Sequence, residues 1–231
     1  MTGHMAVETE RLGRVFTTRG ANGKATKHAA LDDVTLSVRR GELFGLVGVN
    51  GSGKSTLLQI LAAQLRPSSG CARVAGFDVC RYAGHVRRHT AAAGHDHALI
   101  GLLRHPEQST GERQRAVIDR VFAGEPKVVL LDQPTLALDC LAAREVRAAI
   151  RRWRADDGTR TIVLATNDLR EADELCDRVA ILDAGRVVAC DTPAALVEQW
   201  PRQPVELDER AAFGDLEAAF LRIVRRPELF A

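Results

Sequence analysis

Leu43-Phe44-Gly45-Leu46-Val47-Gly48-Val49-Asn50-Gly51-Ser52-Gly53-Lys54-Ser55-Thr56 is the stretch on which the reading of this chain turns. Leu43–Val47 is a short apolar run of the length of a buried strand. Gly48 to Thr56 match G-x-x-x-x-G-K-[ST], and Ser55 to Leu65 continue with apolar residues at helical spacing. Strand, glycine turn and helix open a parallel α/β unit. Gly48, Gly51 and Gly53 let successive backbone N–H groups of the turn, through Val49, Asn50 and Ser52, point inward around phosphate oxygens. The N-terminus of the helix adds its positive dipole. In such a cradle Lys54 reaches the outer phosphates, and the Ser55 hydroxyl, next to Thr56, ligates Mg²⁺.

Moving outward, Val128-Val129-Leu130-Leu131-Asp132 is the natural second half of this site. A carboxylate at the C-terminal end of a buried parallel strand lies beside the phosphate turn, where it can hold Mg²⁺. Around these motifs the pattern predicts strands at 31–38, 71–79, 161–165, 179–182 and 186–189. It predicts helices at 112–123, 142–154 and 169–176 and a mostly helical tail from Pro193, interrupted by Pro201 and Pro204. Residues 80–110, rich in His, Arg, Ala and Gly, carry no clear period. The fold class is therefore α/β.

Composition narrows the function classes. Apolar residues are 45% and charged residues 27% of the 231, which excludes a disordered or collagen-like chain. With 32 basic against 30 acidic residues and no block of one sign, no nucleic-acid partner is expected. No apolar run approaches the roughly 20 residues of a membrane helix, and the polar N-terminus lacks the centre of a secretion signal. The five cysteines form no C-x-x-C pair and read as free thiols of a cytoplasmic protein. His85 and His89 have the i, i+4 spacing that could hold a metal on a helix, but no acidic or cysteine cluster completes the set; a solvated polar segment is the plainer alternative.

Taken in order, the motifs resemble those of the ATP-binding cassette family, the nucleotide-binding subunits of ABC transporters. The pieces are GVNGSGKST at 48–56, Ser68-Ser69-Gly70 before the strand around Val74, and Ser109-Thr110-Gly111-Glu112-Arg113-Gln114-Arg115 at the place of the LSGGQ-type signature. They continue with Leu130-Leu131-Asp132-Gln133-Pro134-Thr135, with Leu138-Asp139 as the D-loop, and with Leu164-Ala165-Thr166-Asn167-Asp168 as the H-loop segment. The resemblance covers about residues 8–195. It implies a P-loop NTPase of the ABC type, a mainly parallel sheet with an antiparallel β subdomain, and ATP with Mg²⁺ as ligands. It also implies a sandwich dimer in which the signature of one subunit, here Ser109 and Gly111, faces the γ-phosphate bound by the other, and it counts Asp139 of the D-loop among the nucleotide-binding residues. Phe16 is the aromatic the resemblance places against adenine; a Phe near a strand end also serves as plain core.

The departures from the family pattern shape the functional expectation. Gln133 stands where the family has the Glu that polarises the attacking water; a Gln can orient water but cannot accept its proton, and loss of a general base costs about 10²–10⁴ in rate. Asn167 stands at the H-loop His. Gln108, Thr110 and Glu112 depart from the signature, and Glu112 brings negative charge towards a phosphate. The Q-loop Gln has no counterpart; its place falls at about His95. The span from Lys54 to Ser109 is too short for the family's whole helical lobe, so the lobe is expected to be truncated, at about 85–123. The domain reading is 1–195 as the nucleotide-binding domain and 196–231 as a helical tail. Three uses follow. The first is an ATP-binding subunit of a transporter with weak or absent hydrolysis, peripheral at the inner membrane face and paired with a more complete ABC subunit and a membrane transport subunit. The others are a cytoplasmic ATP-dependent switch or scaffold, and a relic or biosynthetic enzyme on the same fold.

Overall fold

The computed structural model describes residues 5–19, 25–94, 110–200 and 215–225. Its strands are β1 (Met5–Arg19), β2 (Ala25–Arg39), β3 (Leu43–Val47), β4 (Ser69–Val74), β5 (Phe77–Asp78), β6 (Thr90–Gly94), β7 (Val128–Asp132), β8 (Thr161–Thr166), β9 (Arg178–Asp183) and β10 (Arg186–Asp191). Its helices are α1 (Lys54–Leu61), α2 (Ala83–His89), α3 (Thr110–Ala123), α4 (Cys140–Asp156), α5 (Leu169–Leu175), α6 (Pro193–Gln199) and α7 (Asp215–Arg225).

Two sheets result. One has the order β10-β9-β3-β8-β7-β6 and is parallel except for the edge pair β9–β10; the other, β2-β1-β4-β5, is antiparallel. β3 and β8 read as unbroken apolar runs because both faces are covered. Phe44 and Leu46 point with Val163 into a core shared with α1 and the antiparallel sheet. Their neighbours Leu43 and Val47 point with Ile162 and Leu164 into a second core, built with α3, α4, α5 and α7.

Four expectations change in the structure. The first helix starts at Lys54 but ends at Leu61 rather than Leu65. Ala63 turns to φ 53°, and the bonds Ala63 N–H to Ile60 O (2.9 Å) and Gln64 N–H to Gln59 O (2.9 Å) close a Schellman motif. The strand expected over 71–79 is a hairpin of β4 and β5, turned at Ala75 and Gly76, both with positive φ. Residues 85–94 are not part of a helical lobe: α2 packs beside β5, and β6 joins the parallel sheet next to β7. What remains for a lobe lies outside the described residues, ahead of α3, which packs on α4 through Phe122 stacked on Trp153 at 4.7 Å. The boundary at 195/196 cuts through α6, and Leu196, Leu216, Phe220 and Ile223 belong to the second core, so α6 and α7 are not a separate tail.

Candidate functional site

Register brings the motif residues to one edge of the parallel sheet. Val47 pairs with Thr166, Asp132 with Ala165, and Gly94 with Asp132. The residues that follow, Gly48, Asn167 and Gln133, leave the sheet at this common carboxyl edge. That is the edge where ligands of open α/β sheets bind. One strand, β8, stands between β3 and β7 and sets Asn167 between the glycine turn after β3 and Asp132.

The phosphate turn is held from outside by backbone. Gly53 sits at φ 108°, and a Cβ there would lie 2.4 Å from the Ala30 carbonyl oxygen of β2. A Cβ at Gly48 would meet the Leu182 carbonyl oxygen at 2.3 Å. The Ser52 carbonyl accepts from Gly185 N–H at 3.0 Å. Gly51, Asn50 and Ser55 face solvent, Thr56 is half-buried, and Ser52 is buried. Glycine is thus required at 48 and 53 because neighbouring backbone fills the space a side chain would need.

Lys54 opens α1 and is only 4% exposed. Its Nζ donates to Gly48 O at 2.7 Å and Val49 O at 3.0 Å and approaches Ser52 Oγ at 3.4 Å. Burial pushes its pKa down, and the carboxylate of Asp132 offsets part of that shift. Asp132 Oδ1 is buried without a hydrogen-bond partner. Ser55, Asp132 and Gln133 line one cleft of about 240 Å³, with Gln59, Gly94 and Leu136 around it. A hydroxyl and an unpaired carboxylate oxygen on one cleft are the hard oxygen donors that Mg²⁺ takes, so the residues fit the ion. When bound, the ion would neutralise part of a phosphate's charge.

Gln133 holds φ 51°, and its N–H donates to Ala165 O at 2.8 Å, tying the turn after β7 to β8. Asn167 is exposed, and its Nδ2 donates to Oδ1 of Asn50 on the phosphate turn at 2.6 Å. Asp139 is the N-cap of α4, accepting from Ala142 N–H at 2.8 Å, so its carboxylate is engaged within its own chain. Gly111 lies in the first turn of α3, and Glu112 is exposed beside it. Gln108, Ser109 and His95 lie outside the described residues. Phe16 pairs across the hairpin with His28, two positions from the Ala30 that touches Gly53. Its ring is half-buried and carries the Arg14 guanidinium 4.6 Å from its centroid.

His85 and His89 pack their rings on Phe77, at 5.0 and 5.3 Å between centroids. Among the described residues no group of three or more His, Cys, Asp and Glu side chains is placed to hold a metal ion. Cys71, Cys80, Cys140, Cys176 and Cys190 are free thiols. One buried residue was not singled out in the sequence. Glu171 of α5, 1% exposed, accepts from the Thr135 hydroxyl at 2.9 Å and so joins the turn after β7 to α5. Burial raises its pKa, and the hydroxyls of Thr166 and Thr135 moderate the rise. An acid in the first turn of α5, three residues beyond that helix's N-cap Asp168, was the available signal.

Residues 31–108 match the family described as "ABC transporter". The methionine import ATP-binding protein MetN 2 of Salmonella choleraesuis is 35% identical over 225 residues, 79% of this chain and 65% of that protein. The daunorubicin resistance ATP-binding protein DrrA3 of Streptomyces coeruleorubidus is 32% identical over 243 residues, 88% of this chain and 76% of that protein. The chain thus spans about 65% of the length of the methionine import relative. Among solved structures, an ATP-binding subunit of an ABC transporter superposes with a TM-score of 0.69 at 24% identity, over 94% of this chain and 99% of its own. The dimeric cassette MJ0796 bound to ADP and Pi superposes with a TM-score of 0.67 at 20% identity, over 80% of this chain and 98% of its own.

Proposed function

This chain belongs to the ATP-binding subunits of ABC transporters and has their P-loop fold, and from that premise we propose that it holds MgATP at Lys54, Ser55 and Asp132 but turns it over slowly on its own. The observation that carries the reading is the buried Lys54 ammonium, turned onto the carbonyls of its own loop at 2.7 and 3.0 Å. A buried cation among neutral carbonyls gains from an anion, and the β- and γ-phosphates supply one. Phe16, on the hairpin beside Gly53, is the ring for the nucleobase. Gln133 orients water at the cleft without taking its proton, which is the ground for slow turnover.

In this reading the working unit is a dimer. The MJ0796 cassette is described as dimeric. Thr110 and Glu112 weaken the surface that closes over a partner's γ-phosphate, because charge repulsion in a water-poor contact is poorly screened. A pairing with a subunit of complete signature is therefore favoured over self-pairing. Relatives are described as import and resistance ATP-binding proteins, and a membrane transport subunit is the corresponding partner, with this chain at the cytoplasmic face. Among the described residues no helix is long and apolar enough to cross a membrane. The short span between Gly94 and Thr110 favours a second reading, an ATP-dependent switch uncoupled from transport.

Phosphate release and light scattering, each with and without MgATP, test this reading. Release by the chain alone should be slow, and the chain should stay mainly monomeric. Turnover at the rate of an ordinary ABC ATPase, lost on Gln133→Ala, overturns the assignment of the base. A tight ATP-dependent homodimer overturns the charge argument at Glu112.

A further inference from the structure

The turn after β7 is strained at Gln133. Its φ of 51° lies in the left-handed region, which a non-glycine residue occupies at a cost. Pro134 follows, and a proline ring favours extended backbone in the residue before it. Such a turn persists only where its surroundings hold it. Gln133 N–H donates to Ala165 O of β8 at 2.8 Å, and Leu136 N–H returns to Gln133 O at 3.2 Å. The Thr135 hydroxyl donates to Oε1 of Glu171 on α5 at 2.9 Å. Gln133 and Leu136 line the cleft with Ser55 and Asp132, while Thr135, between them, is tied to α5. Glu171 is a fixed anchor. It is 1% exposed, its N–H donates to Asp168 Oδ1 at 3.3 Å, and its neighbours Ala172 and Leu175 belong to the second core.

We infer that Glu171 is a positioning residue for Gln133: through the Thr135 hydroxyl it fixes the turn after β7, and with it the place of the Gln133 side chain in the cleft. The inference rests on the proposed ATP site, in which Gln133 orients water. The backbone bond to Ala165 holds only the start of the turn. Without the bond to Glu171, the strain at Gln133 is relieved by moving the rest of the turn, and Gln133 moves with it. A group that orients a reactant is sensitive to such movement, since a misplacement of about 1 Å can cost about 10²-fold in rate. Nucleotide binding does not draw on this turn. Lys54 belongs to α1, and Asp132 lies within β7, paired with Ala165 on one side and Gly94 on the other. The loss therefore falls on turnover and spares affinity.

Phosphate release over a range of MgATP concentrations gives kcat and KM for wild type, Thr135→Val, Thr135→Ser, Glu171→Leu, Gln133→Ala and the double variant Gln133→Ala/Thr135→Val. The melting temperature of each is recorded to confirm folding. Thr135→Val keeps the shape and removes the donor; kcat should fall by about fivefold to tenfold, the factor that one hydrogen bond is worth in a rate. KM for MgATP should hold. Thr135→Ser, which restores the hydroxyl, should recover kcat. Glu171→Leu should show the same fall as Thr135→Val, and where that buried change unfolds the chain, Thr135→Val decides alone. In the Gln133→Ala background Thr135→Val should cost nothing further, because the side chain it positions is gone. A bond that served folding alone would lower the melting temperature and leave kcat of the folded protein as it was. Wild-type kcat in Thr135→Val overturns the inference, as does an equal fall with and without the Gln133 side chain. Gln133→Ala with wild-type kcat overturns the role of Gln133 and the inference with it, and a wild type that binds no MgATP overturns the ATP site itself.

Discussion

Gly53→Ala has a cost that can be worked from the backbone. Gly53 sits at φ 108°, where an L-residue is strained by about 1–2 kcal/mol. An added Cβ would stand 2.4 Å from the Ala30 carbonyl oxygen and 2.8 Å from Leu31 Cδ2. The leucine tip can yield, but the carbonyl belongs to β2, which is paired along its length with β1, so the turn itself must shift. Overpacking of this kind adds about 1–3 kcal/mol, and the total is about 2–5 kcal/mol. At roughly 2–4 °C per kcal/mol for a chain of this size, Gly53→Ala should melt about 4–20 °C below wild type. Gly51→Ala is the control. It shares the positive φ, at 82°, but a Cβ there meets nothing within 4 Å. It should lose only the strain, about 1–2 kcal/mol. Thermal and urea melts of both proteins without nucleotide decide the matter. Equal melting of the two variants would show that β2 does not press on the turn as described.

Ala63→Gly should raise stability by about 1 kcal/mol, since the residue at φ 53° closes a Schellman motif that favours glycine; a lower melting temperature would count against that helix end. Glu171 has a folded pKa raised by burial, so its contribution is fully present below the unfolded value of about 4.3 and is lost as pH rises through the folded pKa. Wild type should therefore lose stability relative to Glu171→Gln as pH rises over that window, and a gap that is constant in urea midpoints across pH would contradict the buried-acid account. Gln133→Glu should restore less than the ~10²–10⁴ that a general base supplies, because residues that act as a unit are not additive and Asn167 and the altered signature remain. Phosphate release rising by that full factor in the single variant would contradict it.

What was legible in the sequence is the part that local chemistry determines. Leu43–Val47 and Val128–Leu131 are apolar throughout because both faces of their sheet are covered, and the glycines between β3 and α1 are needed where backbone crowds the turn. The rest depends on distant partners. Thr90–Gly94 is three alanines between Thr and Gly, a composition with little strand preference of its own, and becomes a strand only by pairing with β7. Ala63 and Ala75 turn the chain with positive φ where sequence rules look for glycine or asparagine, so one helix was read too long and one hairpin as a single strand. Leu216, Phe220 and Ile223 looked like a tail until the second core was seen to include them. The Asn50–Asn167 bond joins residues far apart in the chain and had no local signature.

The central claim, a nucleotide site organised by Lys54, is tested most directly by the melting temperature of the chain with and without millimolar MgATP, beside Lys54→Ala. A ligand at 100 times its dissociation constant stabilises by about 2.7 kcal/mol. For this length that is a rise of roughly 5–10 °C. Wild type should show that rise, and Lys54→Ala, which lacks the buried ammonium now held at 2.7 Å by Gly48 O, should show none. No shift in the wild type, or an equal shift in the variant, would contradict the account.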